Sequence, residues 1–271
     1  MDISNDNVHG WRLRYALQSD VGQERDLDED SLLAITLANM FEGSRETTLG
    51  LFAVADGMGG YAGGEFASRY ALQLLSRSVL DRVFQRILST KNAINEAWMK
   101  NALASAIKAA NKGVYAEQQK RGNEMGTTIT AALILNETAV IANVGDSRAY
   151  LWRDRTLQQI TQDHSLVASL IAAGELDADA LYTHEQKNVI YRSIGDKPDV
   201  RVDTFIVPLQ DGDRLVFCCD GVWEMIRPEG IAAVMLSEPD PQQACDEMVR
   251  RANLAGGEDN ISVIITAVEH V

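Results

Sequence analysis

Ala53-Val54-Ala55-Asp56-Gly57-Met58-Gly59-Gly60 is the stretch on which the reading of this chain turns. An apolar run, Leu51 to Ala55, stops at one carboxylate and passes into glycines. A buried strand that presents an acidic ligand at its tip, with backbone free to approach closely, has this form. The form recurs where Leu215-Val216-Phe217-Cys218-Cys219 ends in Asp220-Gly221. It returns in reverse at Gly256-Gly257-Glu258-Asp259-Asn260, which leads into the apolar run Ile261 to Thr266. Three carboxylates, each at a strand end beside glycine, point to a hard-metal site assembled from distant segments.

Bulk properties narrow the class around that site. A chain of 271 residues can bury a large core. With no repeat, low-complexity tract or Pro/Ser-rich linker, it reads as one domain over 11–271 behind a loose tail at 1–10. The net charge of -14, with no Lys/Arg-rich block, excludes a nucleic-acid binder, which needs a basic face. Part of that acidity is expected to be a cluster offset by divalent cations. No apolar stretch is long enough to span a bilayer and the N-terminal residues are polar, so the expected location is cytoplasmic, with no membrane partner and a monomeric state. Cys218 and Cys219 lie in an apolar run and, with Cys245, read as buried thiols; no Cys/His pair has zinc-ligand spacing.

Periodicity predicts strands near Arg12–Gln18, Ser31–Ala38 and Leu49–Ala55, then two long helices, about Gly64–Leu88 and Ala93–Gln119. Strands follow at Thr127–Leu135, Thr138–Val144, Arg148–Arg153 and Leu157–Ile160, with Asn136-Glu137 as a tight turn. A helix near Ser165–Ala173, capped by Asp163 or Ser165, gives way to a weak pattern over Gly174–Gln186. Strands at Val200–Val207 and Arg214–Cys219, helices at Pro228–Leu236 and Pro241–Leu254, and a last strand at Asn260–Val268 complete the chain. Hairpins interrupted by helix pairs imply antiparallel sheets covered by helices, not a βαβ alternation. The Asp26, Asp28, Asp30 series fails as an EF-hand, since Ser31 and Leu37 stand at the glycine and final-ligand positions; by composition it is a solvated acidic loop.

The order of motifs says more than any one of them. Ser19-Asp20-x-Gly-x-x-Arg25 with Glu29-Asp30 comes first, then Asp56-Gly-Met-Gly-Gly and Gly126-Thr127-Thr128. Gly145-Asp-Ser-Arg148, Asp163-His-Ser165, Cys219-Asp220-Gly221 and Asp259-Asn260 follow. This series, from about Trp11 to Val268, resembles the PPM/PP2C family of metal-dependent serine/threonine protein phosphatases in its bacterial form. The resemblance implies an α+β fold, a four-layer α-β-β-α sandwich of two antiparallel sheets flanked by helix pairs, with a flap at about 172–186. It implies two Mn²⁺ or Mg²⁺ ions and a possible third. Asp56 would bridge the two, Asp220 and Asp259 complete the shell of one, and the Gly57 carbonyl bind the other. Glu29 and Asp30 would act largely through water, Asp146 with Asp220 would hold the third ion, and Arg25 would grip the substrate phosphate. Phosphorylated proteins are the implied substrates and a serine/threonine kinase the implied counterpart.

Three positions depart from the family pattern. Met58 stands where many eukaryotic members carry a histidine taken as general acid, and Tyr61 where several bacterial members carry another. A thioether donates no proton, so the general acid is unassigned. Asp28 replaces a frequent asparagine and adds negative charge. The rival reading is a binding module that keeps the fold without turnover; retention of Arg25, Asp56, Asp220 and Asp259 together argues against it.

Overall fold

The structure, a computed structural model, describes residues 10–39, 47–59, 63–87 and 94–270. The tail over 1–9, Tyr61, and the helix ends read at Leu88 and Ala93 fall outside them. The strands are β1 (Trp11–Asp20), β2 (Ser31–Asn39), β3 (Thr47–Ala55), β4 (Gly57–Met58), β5 (Gly126–Thr127), β6 (Ile129–Leu135), β7 (Thr138–Val144), β8 (Arg148–Arg153), β9 (Thr156–Gln159), β10 (Asp203–Pro208), β11 (Arg214–Cys218) and β12 (Ile261–His270). The helices are α1 (Gly63–Ile87), α2 (Glu96–Arg121), α3 (Leu166–Ala172), α4 (Ala180–Thr183), α5 (Asp220–Ser237) and α6 (Pro241–Leu254).

Alternation along β3 sets the layers. Phe52 and Val54 join a core with β8, β11 and β12, whereas Leu51, Ala53 and Ala55 join a second core with α1 and α2. Because successive side chains point to opposite faces, one strand serves both cores and every residue from Leu51 to Ala55 is buried. That is why the run reads as continuously apolar. The same holds for Ile129–Ile134 in β6 and Ile261–Val268 in β12. Burying a side chain such as Phe52 or Phe217 contributes about 1.5–3 kcal/mol.

Two five-stranded antiparallel sheets result, ordered β1-β12-β11-β8-β9 and β10-β7-β6-β3-β2, with a separate ribbon β4-β5. α1 and α2 cover the sheet holding β3; α5 and α6 cover the one holding β12. The four-layer expectation holds. Asn95 caps α2 by accepting the Trp98 N–H, and Gly122, at φ 66°, ends it in the left-handed conformation.

Two local expectations need correction, and one open alternative, the cap of α3, is decided. The segment Thr127–Leu135 is not one strand: it breaks at Thr128 between the ribbon and the main sheet. Ser165, not Asp163, caps α3, with Asp163 engaged by Arg148 instead. Helix α5 starts at Asp220 rather than Pro228. It is interrupted at Arg227 (φ 54°, ψ 167°), where the residue before a proline is pushed out of helical geometry.

Strand register brings the motifs to one end. Ser31 pairs with Ala55, Val54 with Thr130, and Ile129 with Val144. In the other sheet Cys218 pairs with Arg148 and Val263, and Asp20 with Ile261. Within each sheet these strand ends lie side by side, and Asp30, Asp56, Asp146, Asp220 and Asp259 flank them.

Candidate active site

Asp56 leaves β3 with its backbone held twice over. Its carbonyl accepts from Thr127 Oγ1 at 2.7 Å and from the Thr128 N–H at 2.8 Å, and its own N–H donates to Thr128 Oγ1 at 3.0 Å. Thr128 in turn shares a hydroxyl hydrogen bond of 2.7 Å with Ser147, and Thr130 donates to the Ser147 carbonyl at 2.8 Å. This relay of threonines and serine ties the Asp56 tip to the β7–β8 turn that carries Asp146. The Trp223 indole N–H donates to the Asp146 carbonyl at 3.1 Å, fixing that turn from α5.

Asn260 stitches the acidic loop to the start of β12. Its Nδ2 donates to the carbonyls of Val21 (3.0 Å) and Leu27 (2.9 Å), and its Oδ1 accepts from the Glu29 N–H (2.9 Å). Asp28 takes the Ser19 hydroxyl at 2.6 Å and the Asp30 N–H at 3.0 Å. The loop is thus built rather than merely solvated. Close approach explains two glycines: a β-carbon at Gly57 would lie 2.3 Å from the Glu29 and Gly64 carbonyl oxygens, and one at Gly221 would lie 2.0 Å from the Asn260 carbonyl oxygen.

The structure brings Asp30, Asp56, Asp146, Asp220 and Asp259 into one electrostatic cluster. Burial, then the charges of Asp220, Asp30, Asp146 and Asp259, hold the Asp56 carboxyl well above the usual range. Burial does the same for Asp146, helped by Asp220 and Asp163. Burial lifts Asp220 to about 7, with Asp259 and Glu224 adding to it. Asp30 is raised to about 8, also chiefly by burial, against hydrogen bonds from Ser262 and Cys219. One oxygen each of Asp30, Asp146 and Asp220 is buried with no hydrogen-bond partner. Repelling, under-satisfied carboxylates of this kind have the chemistry of a cation site. Among the described residues no three acidic, histidine or cysteine groups form a ready-made cage. An all-oxygen, partly open set of this kind fits Mg²⁺ or Mn²⁺, which keep several waters when few carboxylates bind them.

Two predicted residues sit at the rim. Arg25 Nη2 pairs with Asp259 Oδ2 at 2.7 Å, and both side chains are substantially exposed. Glu29 Oε1 accepts the Gly64 N–H at 3.2 Å, so its carboxylate lies at the N-terminus of α1, and burial raises its pKa.

Other motifs prove architectural. The Arg148 guanidinium, only 2% exposed, forks onto Asp163 at 2.6–3.1 Å, donates to the Tyr150 hydroxyl and lies 3.5 Å from the Trp223 ring centroid. His164 Nδ1 accepts the Gly145 N–H at 3.0 Å, which leaves Nε2 to face Asp203 (3.2 Å) and Arg192 (2.9 Å). Burial, then Arg192, lowers its pKa. The three thiols are free and buried; burial pushes Cys218 and Cys245 up to about 12 and Cys219 well up also.

The sequence reading missed Glu224 and Lys187. Glu224 lies one turn after Asp220 on α5, acts electrostatically on Asp146 and Asp220, and pairs with Lys187, whose Nζ is 3.9 Å from Glu258. The i, i+4 spacing from Asp220 was the available signal, hidden because this half of α5 did not read as helix. Nearby, Arg227 lies 3.7 Å from Asp179 and 4.4 Å from the Tyr182 ring centroid, and Tyr182 meets Trp223 edge-on. The segment after α3 therefore docks on the helix that starts with Asp220.

Comparison with known proteins matches this arrangement. The protein phosphatase 2C family profile covers residues 40–257. The chain is 40% identical over 214 residues to the serine/threonine phosphatase stp of Listeria welshimeri, covering 78% of this chain and 82% of that one. It is 33% identical over 257 residues to protein phosphatase PhpP of Streptococcus pneumoniae, covering 94% and 98%. The catalytic domain of the serine/threonine protein phosphatase PstP, solved with two manganese ions, superposes with a TM-score of 0.76 at 29% identity over 96% of this chain and 99% of that one. With four-fifths of its length matched by the profile and its acidic strand ends gathered at one site, the chain belongs to the protein phosphatase 2C family.

Proposed function

We propose that this protein hydrolyses phosphoserine and phosphothreonine on proteins with the help of divalent metal ions. The observation that carries the reading is the cluster of five aspartates with three buried, unpartnered carboxylate oxygens at one end of a phosphatase 2C sandwich. Asp56, Asp220 and Asp259 would hold two Mn²⁺ or Mg²⁺ ions with the Gly57 carbonyl, Glu29 and Asp30 contributing directly or through water. Asp146 with Asp220 would hold a third. When bound, such ions neutralise phosphoryl charge and lower the pKa of coordinated water.

Arg25 is the substrate's anchor in this reading. Its guanidinium rests on Asp259 at the rim and is exposed enough to turn onto a phosphate, where its fork makes parallel hydrogen bonds that a lysine cannot reproduce. The thiols take no covalent part, because burial keeps them protonated. Met58 cannot protonate the leaving oxygen, so that proton comes from another group or from solvent. The segment 172–186 serves as a flap that tunes substrate choice; its docking on α5 through Tyr182 and Asp179 supports this. The finer reading is a monomeric, cytoplasmic enzyme that opposes a serine/threonine kinase, which suits a chain of net charge -14 that resists self-association. Phosphate release from paired phosphoserine, phosphothreonine and phosphotyrosine peptides in Mn²⁺ tests the reading; turnover of the first two is expected, and turnover of none would overturn it.

A further inference from the structure

Against Met58, two residues after Asp56, lies a cavity of about 650 Å³ that none of the five clustered aspartates lines. Met58 and Ile190 form apolar walls, and Asn123, Glu124, Ser193 and Asp196 supply polar groups. Among the described residues its charged lining is acidic: two carboxylates and no lysine or arginine. Glu124 makes no ion pair among the described residues, and Asp196 has only its exposed neighbour Lys197, 3.5 Å away. That composition repels a second phosphate and suits a cation.

The cavity is placed by the backbone that positions Asp56. Met58, on its wall, pairs with Gly126, and Gly57 with Thr127, whose hydroxyl holds the Asp56 carbonyl at 2.7 Å. Two residues of extended chain span roughly 6–7 Å. Met58 is itself two residues from Asp56, so a peptide whose phosphorylated residue sits over Asp56 and whose chain runs toward Met58 presents a side chain two residues away at this opening. Met58 and Ile190 can receive the methylene stem of a long basic side chain while its head meets Glu124 and Asp196.

We propose that this cavity is a specificity pocket for an arginine or lysine lying two residues from the phosphorylated serine or threonine of the substrate. The inference rests on the phosphatase reading above and deepens it by assigning a substrate class: phosphosites in basic sequence. Side chains with opposite charges across a partly exposed site discriminate chiefly through electrostatic complementarity, and screening by salt weakens them.

The test uses phosphoserine peptides identical except for arginine, alanine or glutamate placed two residues before or two residues after the phosphoserine. The parent protein should show kcat/KM about three- to tenfold higher for one arginine peptide than for its alanine partner, with the glutamate peptide lowest. The preference should shrink at high salt. In Glu124→Lys/Asp196→Lys it should vanish or invert, while hydrolysis of p-nitrophenyl phosphate, which has no flanking residues, stays at the parental rate. Glu124→Gln and Asp196→Asn, read with the same peptides, cover the case in which the double reversal does not fold. Equal rates on all peptides by the parent, or an arginine preference undiminished in the folded variants, would overturn the pocket's role while leaving the phosphatase reading intact. Failure of the parent on p-nitrophenyl phosphate as well would remove both.

Discussion

Asp220→Asn should stabilise the metal-free protein, by an amount that grows with pH. In the folded chain burial and the charges of Asp259 and Glu224 raise the Asp220 carboxyl from 3.8 to about 7. A carboxyl raised on folding destabilises the native state as pH climbs through the unfolded value toward the folded one, since the native form then holds the extra proton. At about 1.4 kcal/mol per unit, the full displacement is on the order of 4 kcal/mol at pH 8 and less than half of that at pH 5. Asparagine keeps the shape without the charge and removes that penalty. For a chain of this size each kcal/mol moves Tm by about 2–4 °C, so the variant in EDTA should melt about 8–16 °C above the parent at pH 8 and less than half as far above it at pH 5. Adding Mn²⁺ should raise the parent's Tm far more than the variant's. Thermal melts at both pH values, with EDTA and with Mn²⁺, provide the readout. An Asp220→Asn protein no more stable than the parent in EDTA at pH 8 would refute the claim that charge crowding strains this site.

Other outcomes follow from individual contacts. Arg25→Ala should lower kcat/KM on aryl phosphate about 10- to 100-fold, as expected for loss of a charged hydrogen bond, with Mn²⁺ affinity by calorimetry retained; unaltered kinetics would exclude the phosphate-anchor role. Arg148→Ala leaves Asp163 buried and unpaired, so urea unfolding should show a loss of about 3–5 kcal/mol; a loss below 1 kcal/mol would mean the pair is dispensable. With the Cys218 and Cys245 thiols pushed up to about 12, a thiol reagent at pH 7.5 should label native protein slowly and spare activity, whereas rapid inactivation would reopen thiol chemistry. Exchanging residues 174–186 should change phosphopeptide preference and spare aryl phosphate hydrolysis; equal loss on both would count against a flap that selects substrates.

Asp56, Asp220 and Asp259 were legible because each ends or begins an apolar run that sheets and helices bury on both sides, a pattern no surface loop imitates. Asp30 and Asp146 were different. Alone they look like loop and turn residues, and only the order of motifs singled them out; their burial and unpartnered oxygens appear in three dimensions. The apolar pattern around Thr128 hid a strand break: the Thr127 backbone pairs with Gly57 and exchanges hydrogen bonds with Ile194, away from the main sheet that Ile129 joins opposite Val144. Pro228 concealed the first turns of α5, and Glu224 with them: a proline reads as a helix start, yet here the chain is helical on both sides of the Arg227 break. The pairing of Lys187 with Glu224 joins segments 37 residues apart and leaves no trace in local pattern.

The central claim, that the aspartate cluster makes this chain a metal-dependent phosphatase, is tested most directly by p-nitrophenyl phosphate hydrolysis in Mn²⁺, in EDTA, and with Asp56→Ala. The account predicts turnover in Mn²⁺ that EDTA abolishes and that folded Asp56→Ala lacks at every Mn²⁺ concentration. Turnover that persists in EDTA or in the variant, or its absence from folded parent protein saturated with Mn²⁺, would contradict it.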